Sequence, residues 1–274
     1  SNPARRESVM QAVLSQPYLR RMMAGSALLF VVFLAAWQWA PGWFGIPHFI
    51  IPPASLVWDE FLRMLVKDKL MFHTGITAMQ VGIGFLLGAL LGIFAGFVLG
   101  MSPTAEFVLS PYILALQIAP KVAFAPLFII WFGYTIYPKI LVCILIVFFP
   151  VMINVLGAVR AIDPDIVRLA KSFTATRFQV FWKIEFPAAL PPLFAGLRIA
   201  ATLAVIGVLV GELVGGNTGL GYLLAFGEGA GNTAMVFVTI ILLTVIGIVL
   251  YAAIVLLEGR VLHYLPARSK TTTV

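Results

Sequence analysis

A single cysteine in 274 residues, Cys143, leaves no intrachain disulfide to be made. Histidine is nearly as scarce, and His48, His73 and His263 stand too far apart to spell a metal site. Charge is scarce as well: 11% of residues are charged, 11 acidic against 18 basic, while 61% are hydrophobic. Water-soluble folds need more polar surface than that, and a mean hydropathy of +1.04 fits a polytopic membrane protein. The P-loop pattern G-x-x-x-x-G-K-[ST] is missing; GGNTGLG at 215–221 lacks the lysine and follows no strand. Gly25-Ser26 and similar pairs make no nucleophile elbow, and no acids, bases or metal ligands cluster. The chain is therefore expected to be no enzyme and to hold no cofactor of its own. A net charge of +7 would suggest nucleic acid in a soluble protein. Here the basic residues sit at span ends and in loops, where they set topology and face acidic lipid, so no nucleic-acid partner is expected.

What the chain does have is length in apolar runs. A bilayer core of about 30 Å takes about 20 helical residues, and runs of that size fall at roughly 22–40, 76–101, 107–133, 139–159, 193–215 and 234–257. The fold class is an all-α integral membrane protein with about six transmembrane helices, in one domain over 1–274. The polar opening SNPARRESVM leads into a run with no small-residue cleavage site after it, which reads as a retained span rather than a signal peptide. The third run contains Pro111, Pro120, Lys121 and Pro126 and is expected to be kinked or split. Between the fifth and sixth, GGNTGLGYLLAFGEGAG is too glycine-rich for a plain helix and too apolar for a solvated loop; a re-entrant or half-helical element fits it. Segment 54–70 has Leu56, Val57, Phe61, Leu65 and Val66 at helical spacing, an amphipathic helix at the outer interface or a loop helix covering span ends. In the second run Gly84, Gly88, Gly92, Gly96 and Gly100 recur every fourth residue. Such spacing lets helix backbones approach closely, either for packing within the subunit or for lining or moving a transport path.

Lysine and arginine set the orientation. An internal N-terminus puts Arg5, Arg6, Arg20 and Arg21 in the cytoplasm, with the 160–187 segment and with Arg260, Arg268 and Lys270. Both termini are then cytoplasmic. Segment 160–187, RAIDPDIVRLAKSFTATRFQVFWKIEFP, is a polar island between apolar runs. Asp163 before Pro164 is a helix start, and Thr176-Arg177-Phe178-Gln179 spells a capping box for a second short helix, expected to carry Phe178, Phe181 and Trp182 on one side and close at Pro187. Two capped helices with a bend between them read as a docking element.

Ionisable groups inside the membrane are costly and few. Glu212, with Asn217 and Asn232, either lines a polar path or serves as a paired structural carboxylate or helix cap. Glu228 and Lys121 are expected at interfaces.

The island resembles the cytoplasmic coupling loop of binding-protein-dependent ABC importer permeases, whose pattern is E-A-A, three residues, G, nine residues, then I-x-L-P. In that register stand Arg168-Leu169-Ala170, Thr174 and Ile184-Glu185-Phe186-Pro187. Ala170, Ile184 and Pro187 match. Arg168 replaces the family's glutamate, Thr174 its turn glycine and Phe186 its leucine. ATRFQVFWKIEFPAALPPLFAGLRIA, APKVAFAPLFIIWFG and GELVGGNTGLGYLL are similar to the nitrate/sulfonate/taurine-type branch, so the likeness covers most of residues 50–260.

The resemblance implies a type I ABC importer permease bundle in the bacterial inner membrane, acting with a second copy. It implies two cytoplasmic ATPase subunits that bind the ATP and Mg, and a periplasmic or lipid-anchored solute-binding protein. Asp163–Thr176 would be the coupling helix and turn, with Asp163, Arg168, Ala170, Lys171, Phe173, Thr174, Arg177, Ile184 and Pro187 as its contact residues. Threonine adopts a left-handed turn less cheaply than glycine, so a different bend is expected at Thr174. The alternative, a self-sufficient secondary transporter or channel, predicts paired broken helices in inverted repeats; only one glycine-rich break is visible, near the end. Relatives of this type carry sulfonates, nitrate and taurine, or small heterocycles such as vitamin-precursor pyrimidines. Glu212, where an anion path would carry arginine or lysine, leans toward a neutral or cationic solute.

Overall fold

A computed structural model describes residues 16–263 of the chain, which form helices with no strand among the described residues. Arg5, Arg6, Arg268 and Lys270, on which the orientation partly rests, lie outside them. In order the helices are α1 (Gln16–Trp43), α2 (Ala54–Lys67), α3 (Leu70–Gly100), α4 (Pro103–Ile118), α5 (Ala125–Phe132) and α6 (Tyr137–Arg160). They continue as α7 (Pro164–Ser172), α8 (Arg177–Gly215), α9 (Leu220–Gly229) and α10 (Thr233–Val261). Among the described residues five helices are long and apolar enough to cross a membrane, and α4 with the segment Lys121–Phe132, bent by 82°, brings the number to six where that pair counts as one broken span. This is an all-α, multi-pass membrane bundle.

The core is a sandwich of α3, α6 and α8, and small residues explain it. A Cβ added at Gly84 would lie 2.6 Å from the Cys143 side chain, at Gly88 2.9 Å from Val147, at Gly96 2.7 Å from Val155 and at Gly100 2.7 Å from Val159. At Gly92 it would lie 2.7 Å from the Phe148 carbonyl oxygen. The glycine repeat of α3 is thus zipped onto a matching four-residue repeat of α6, and its work is packing within the subunit. α8 closes on the other side of α6: Gly207 would place a Cβ 2.8 Å from Cys143 Cα, and Gly211 2.7 Å from Lys139 Cα. Cys143, fully buried between the two, is held as a small packing residue. In lipid, where apolar surface gains little by leaving the solvent, backbone approach of this kind supplies the dispersion contact that holds helices together.

The break in the third span sits at Ala119-Pro120. Ala119 is pushed to ψ 136, out of the helical region, as the residue before a proline is. The second helix of the polar island departs from expectation. It does not close at Pro187 but runs through a π-helical segment, Phe181–Glu185, straight into the fifth span, giving one continuous α8. The amide of Phe186 reaches back to the Phe181 carbonyl, five residues away. That extra residue in the turn shifts the carbonyl register just before Pro187, which lacks an amide to donate.

The glycine-rich stretch before the last span contains the expected half-helix, α9. The 54–70 helix forms as α2 and buries Val57, Glu60 and Met64 beside α10. Helices α1 and α10 lie at the periphery with most of their apolar surface uncovered.

Candidate docking segment and transport path

At the basic end of the bundle α7 projects with none of its residues buried. Asp163 caps it, its Oδ1 accepting the Asp165 amide at 2.9 Å, and Lys171 lies in the last turn where the helix dipole favours a cation. The turn that follows is closed by two bonds, Ala175 N–H to the Ala170 carbonyl at 3.1 Å and Thr174 N–H to the Lys171 carbonyl at 2.9 Å. That pair is a Schellman motif with Thr174 in the left-handed position. Thr174 has φ 59, so the threonine takes the left-handed conformation for which glycine is suited, at a steric cost of about 1–2 kcal/mol. The capping box then starts α8: Gln179 N–H donates to Thr176 Oγ1 at 3.3 Å, and Thr176 N–H to Gln179 Oε1 at 2.8 Å.

Ile166 and Leu169 on α7 and Phe173 at its C-cap follow helical spacing and are 50%, 60% and 76% exposed, with no helix covering them among the described residues. Arg168 forms an ion pair with Asp165 on its own helix at 3.0 Å. Lys171 and Arg177 are exposed, while Ala170, Ile184 and Pro187 are half-buried toward the bundle. Phe181 anchors the segment, its ring 5.2 Å from that of Phe97 on α3, while Phe178 and Trp182 face outward.

Glu212, Asn217 and Asn232 find three different situations. Glu212 is 1% exposed; it accepts the Thr77 hydroxyl at 2.8 Å and the Gly221 amide at 2.7 Å. The Leu220 amide donates in turn to Thr77 Oγ1 at 2.8 Å, so Thr77 and Glu212 together cap the buried start of α9. The glycines of GGNTGLG make room for this: a side chain at Gly219 would strike the Glu212 carboxylate, and at Gly221 a Cβ would lie 2.6 Å from Glu212 Cβ. Gly219 also holds φ 107, which a side chain strains. Asn232 caps α10, accepting the Met235 amide at 3.1 Å, and donates to Glu60 Oε1 at 2.7 Å. Asn217 is exposed, as is Glu228 at the end of α9.

Sequence reading missed Thr77 and Lys139, the partners of Glu212, and the buried Gln80. Lys139 is 2% exposed and interacts electrostatically with Glu212, and Gln80 is wholly buried with neither amide atom hydrogen-bonded among the described residues. The signal was available: the register that sets Gly84 against Cys143 sets Gln80 level with Lys139, four residues back on each helix. It also missed Arg198, inside the fifth span and paired with Glu258 at 3.6 Å.

Lys121 lies at the break of the third span, on a cavity of about 430 Å³ bordered by Gln117, Phe149, Asn154, Ile199 and Leu203. Its Nζ donates to the Gln117 carbonyl at 2.5 Å and stands 4.8 Å over the Phe149 ring.

Residues 88–263 match the family described as binding-protein-dependent transport system inner membrane component. The chain belongs to this family. The permease is 36% identical over 240 residues to a riboflavin transport system permease of Chloroflexus aurantiacus, covering 88% of this chain and 90% of that one. It is 33% identical over 237 residues to a Bacillus subtilis permease named for aliphatic sulfonate transport, with 86% of both covered. Over 243 residues it is 33% identical to a formylaminopyrimidine transport permease of Halalkalibacterium halodurans, covering 86% of this chain and 94% of the relative. It is an ABC importer permease of the branch that includes sulfonate permeases, and its fold is that of a membrane transport subunit.

Proposed function

We propose that this permease works as a pair with a second copy of itself, docks two cytoplasmic ATPase subunits through α7, and passes a small solute received from an external binding protein. ATP and Mg are bound by the ATPase subunits, and both termini of the permease lie on their side. The observation that carries this reading is the uncovered Ile166–Leu169–Phe173 stripe on a rigidly capped helix, flanked by Arg168, Lys171 and Arg177. An apolar stripe facing water marks a surface that a partner covers, and a capped helix transmits a push better than a loose loop. Asp163, Thr174 and the Ala170 carbonyl hold the helix and turn in shape, while Ile184 and Pro187 join it to the fifth span through the π segment. The path for the solute runs along the uncovered side of α8, where Ile199 and Ile206 are about half exposed and the Lys121 cavity opens. Relatives named for riboflavin, formylaminopyrimidine and aliphatic sulfonates put the cargo among small heterocycles or sulfonate-type anions.

The test is co-purification of the detergent-solubilised permease with the ATPase encoded beside it, wild type against a Leu169→Asp, Phe173→Asp double variant. Loss of the ATPase from a folded variant is the expected result. A complex that survives moves the contact elsewhere, and failure of the wild type to hold any ATPase overturns the importer reading.

A further inference from the structure

The cavity at the broken third span has the chemistry of a solute site. Phe149, which the Lys121 ammonium overlies, stands 12 residues from one end of α6 (Tyr137–Arg160) and 11 from the other, so the cation sits at mid-span depth. A charge there is costly and is kept where it faces a water-filled or protein-lined space. None of the ion pairs among the described residues involves Lys121. Its one hydrogen bond goes to a backbone carbonyl at 2.5 Å, which leaves two of the three ammonium protons unused. Around it the cavity is lined by the polar Gln117 and Asn154 together with the apolar Ile199 and Leu203. Asn154 spends one amide proton on the Pro150 carbonyl at 2.8 Å, which fixes the orientation of its side chain beside the cavity.

Glu212, the carboxylate that suggested a neutral or cationic cargo, is consumed in capping α9 and does not face this space. Two basic side chains of the spans line cavities: Arg198, which is paired with Glu258, and Lys121, which has no ion-pair partner among the described residues, and on Lys121 the expectation turns round. Resting on the importer reading above, we propose that this cavity is a subsite for the passing solute, where Lys121 donates to a hydrogen-bond-accepting edge: an oxyanion, or the carbonyl and ring-nitrogen edge of a heterocycle. Cationic solutes are disfavoured there. The broken span is what makes the site, because the bend at Pro120 turns Lys121 toward α6 instead of letting the helix carry it past.

The experiment uses the permease assembled with its ATPase and binding protein in proteoliposomes. Cys143, the only native thiol, is buried, so Lys121→Cys supplies the one reactive thiol. The expected result is labelling by the water-soluble sulfonatoethyl methanethiosulfonate, with wild type unlabelled. Uptake of butanesulfonate, nitrate, formylaminopyrimidine and riboflavin is then compared across Lys121 variants. For whichever probe is carried, Lys121→Met should lower uptake kcat/KM by roughly tenfold or more, the size of a lost charge-assisted hydrogen bond. Lys121→Arg should retain it. Lys121→Gln separates the sources: retained uptake marks a neutral acceptor, lost uptake an oxyanion. If the ATPase co-purifies but the Lys121→Cys variant stays unlabelled, or if Lys121→Met carries every probe as wild type does, the subsite is wrong and the importer reading stands. If no ATPase co-purifies, both fall together.

Discussion

The two ends of the bundle treat their polar groups in opposite ways. At the Glu212 end the chain satisfies itself: a buried carboxylate, a threonine hydroxyl and two backbone amides close a helix start that lies deep in the protein. At the basic end the local geometry is just as well made, with an Asp163 cap, a Schellman turn and a capping box, yet the apolar side chains it presents are left uncovered. One end is finished by intrachain bonds, and the other, on the docking proposal, is left for a partner to finish. Substitutions should therefore separate stability from assembly according to which end they touch.

The largest effect is expected at the finished end. Glu212→Ala removes the acceptor for Thr77 and Gly221 and leaves those two buried donors unpaired, a loss of about 2–5 kcal/mol. Thermal unfolding in detergent should show it as a steep drop in Tm or as absence of folded protein; a Tm within a degree of wild type would remove Glu212 from the cap. The Leu169→Asp, Phe173→Asp variant should do the reverse, abolishing ATPase capture while leaving the stability of the isolated permease unchanged within about 0.5 kcal/mol, as surface changes do. A large Tm loss there would mean that the stripe is packed within the subunit, and the comparison would collapse.

Between these extremes lies Glu60 on α2. The Arg63 guanidinium bonded to it holds its carboxyl below the usual range, with the Asn232 amide helping and partial burial opposing. Because the folded-state value is depressed, the stabilisation is present above the ordinary glutamate range near ~4.3 and is lost as pH falls through the folded value. Glu60→Gln should cost about 1–2 kcal/mol at neutral pH and almost nothing in acid. A pH-independent difference in Tm would deny the ion pair this role. The smallest effect belongs to Thr174→Gly, which relieves the left-handed threonine and should protect the α7–α8 turn from hydrogen exchange by about 1 kcal/mol while leaving the membrane core unchanged.

Much of the fold is legible in the chain because lipid removes the usual ambiguity. A segment that crosses hydrocarbon must satisfy its backbone within itself, so six long apolar runs mean helices, and prolines in the third mean a break. The caps at Asp163 and Thr176 are equally local, each set by side chains within three residues of the amide they bind, and the structure has both. Pro187 misled because a proline can stand inside a long membrane helix, as Pro191 and Pro192 do in α8 and Pro150 in α6. A π turn at Phe181–Glu185 absorbs the missing amide, and nothing in the local composition announces that register shift.

The sequence by itself determined the spans, the break, the capped polar island and the glycine repeat, since these depend on neighbours along the chain. Only the tertiary structure decided what each polar residue in the membrane is for. Glu212 closes a helix because Thr77, 135 residues away, meets it, and Lys121 faces a cavity because a bend aims it at α6. Burial and partnership are properties of packed helices, and in a low-dielectric interior they fix whether an ionisable group is locked in structure or left free to meet a solute.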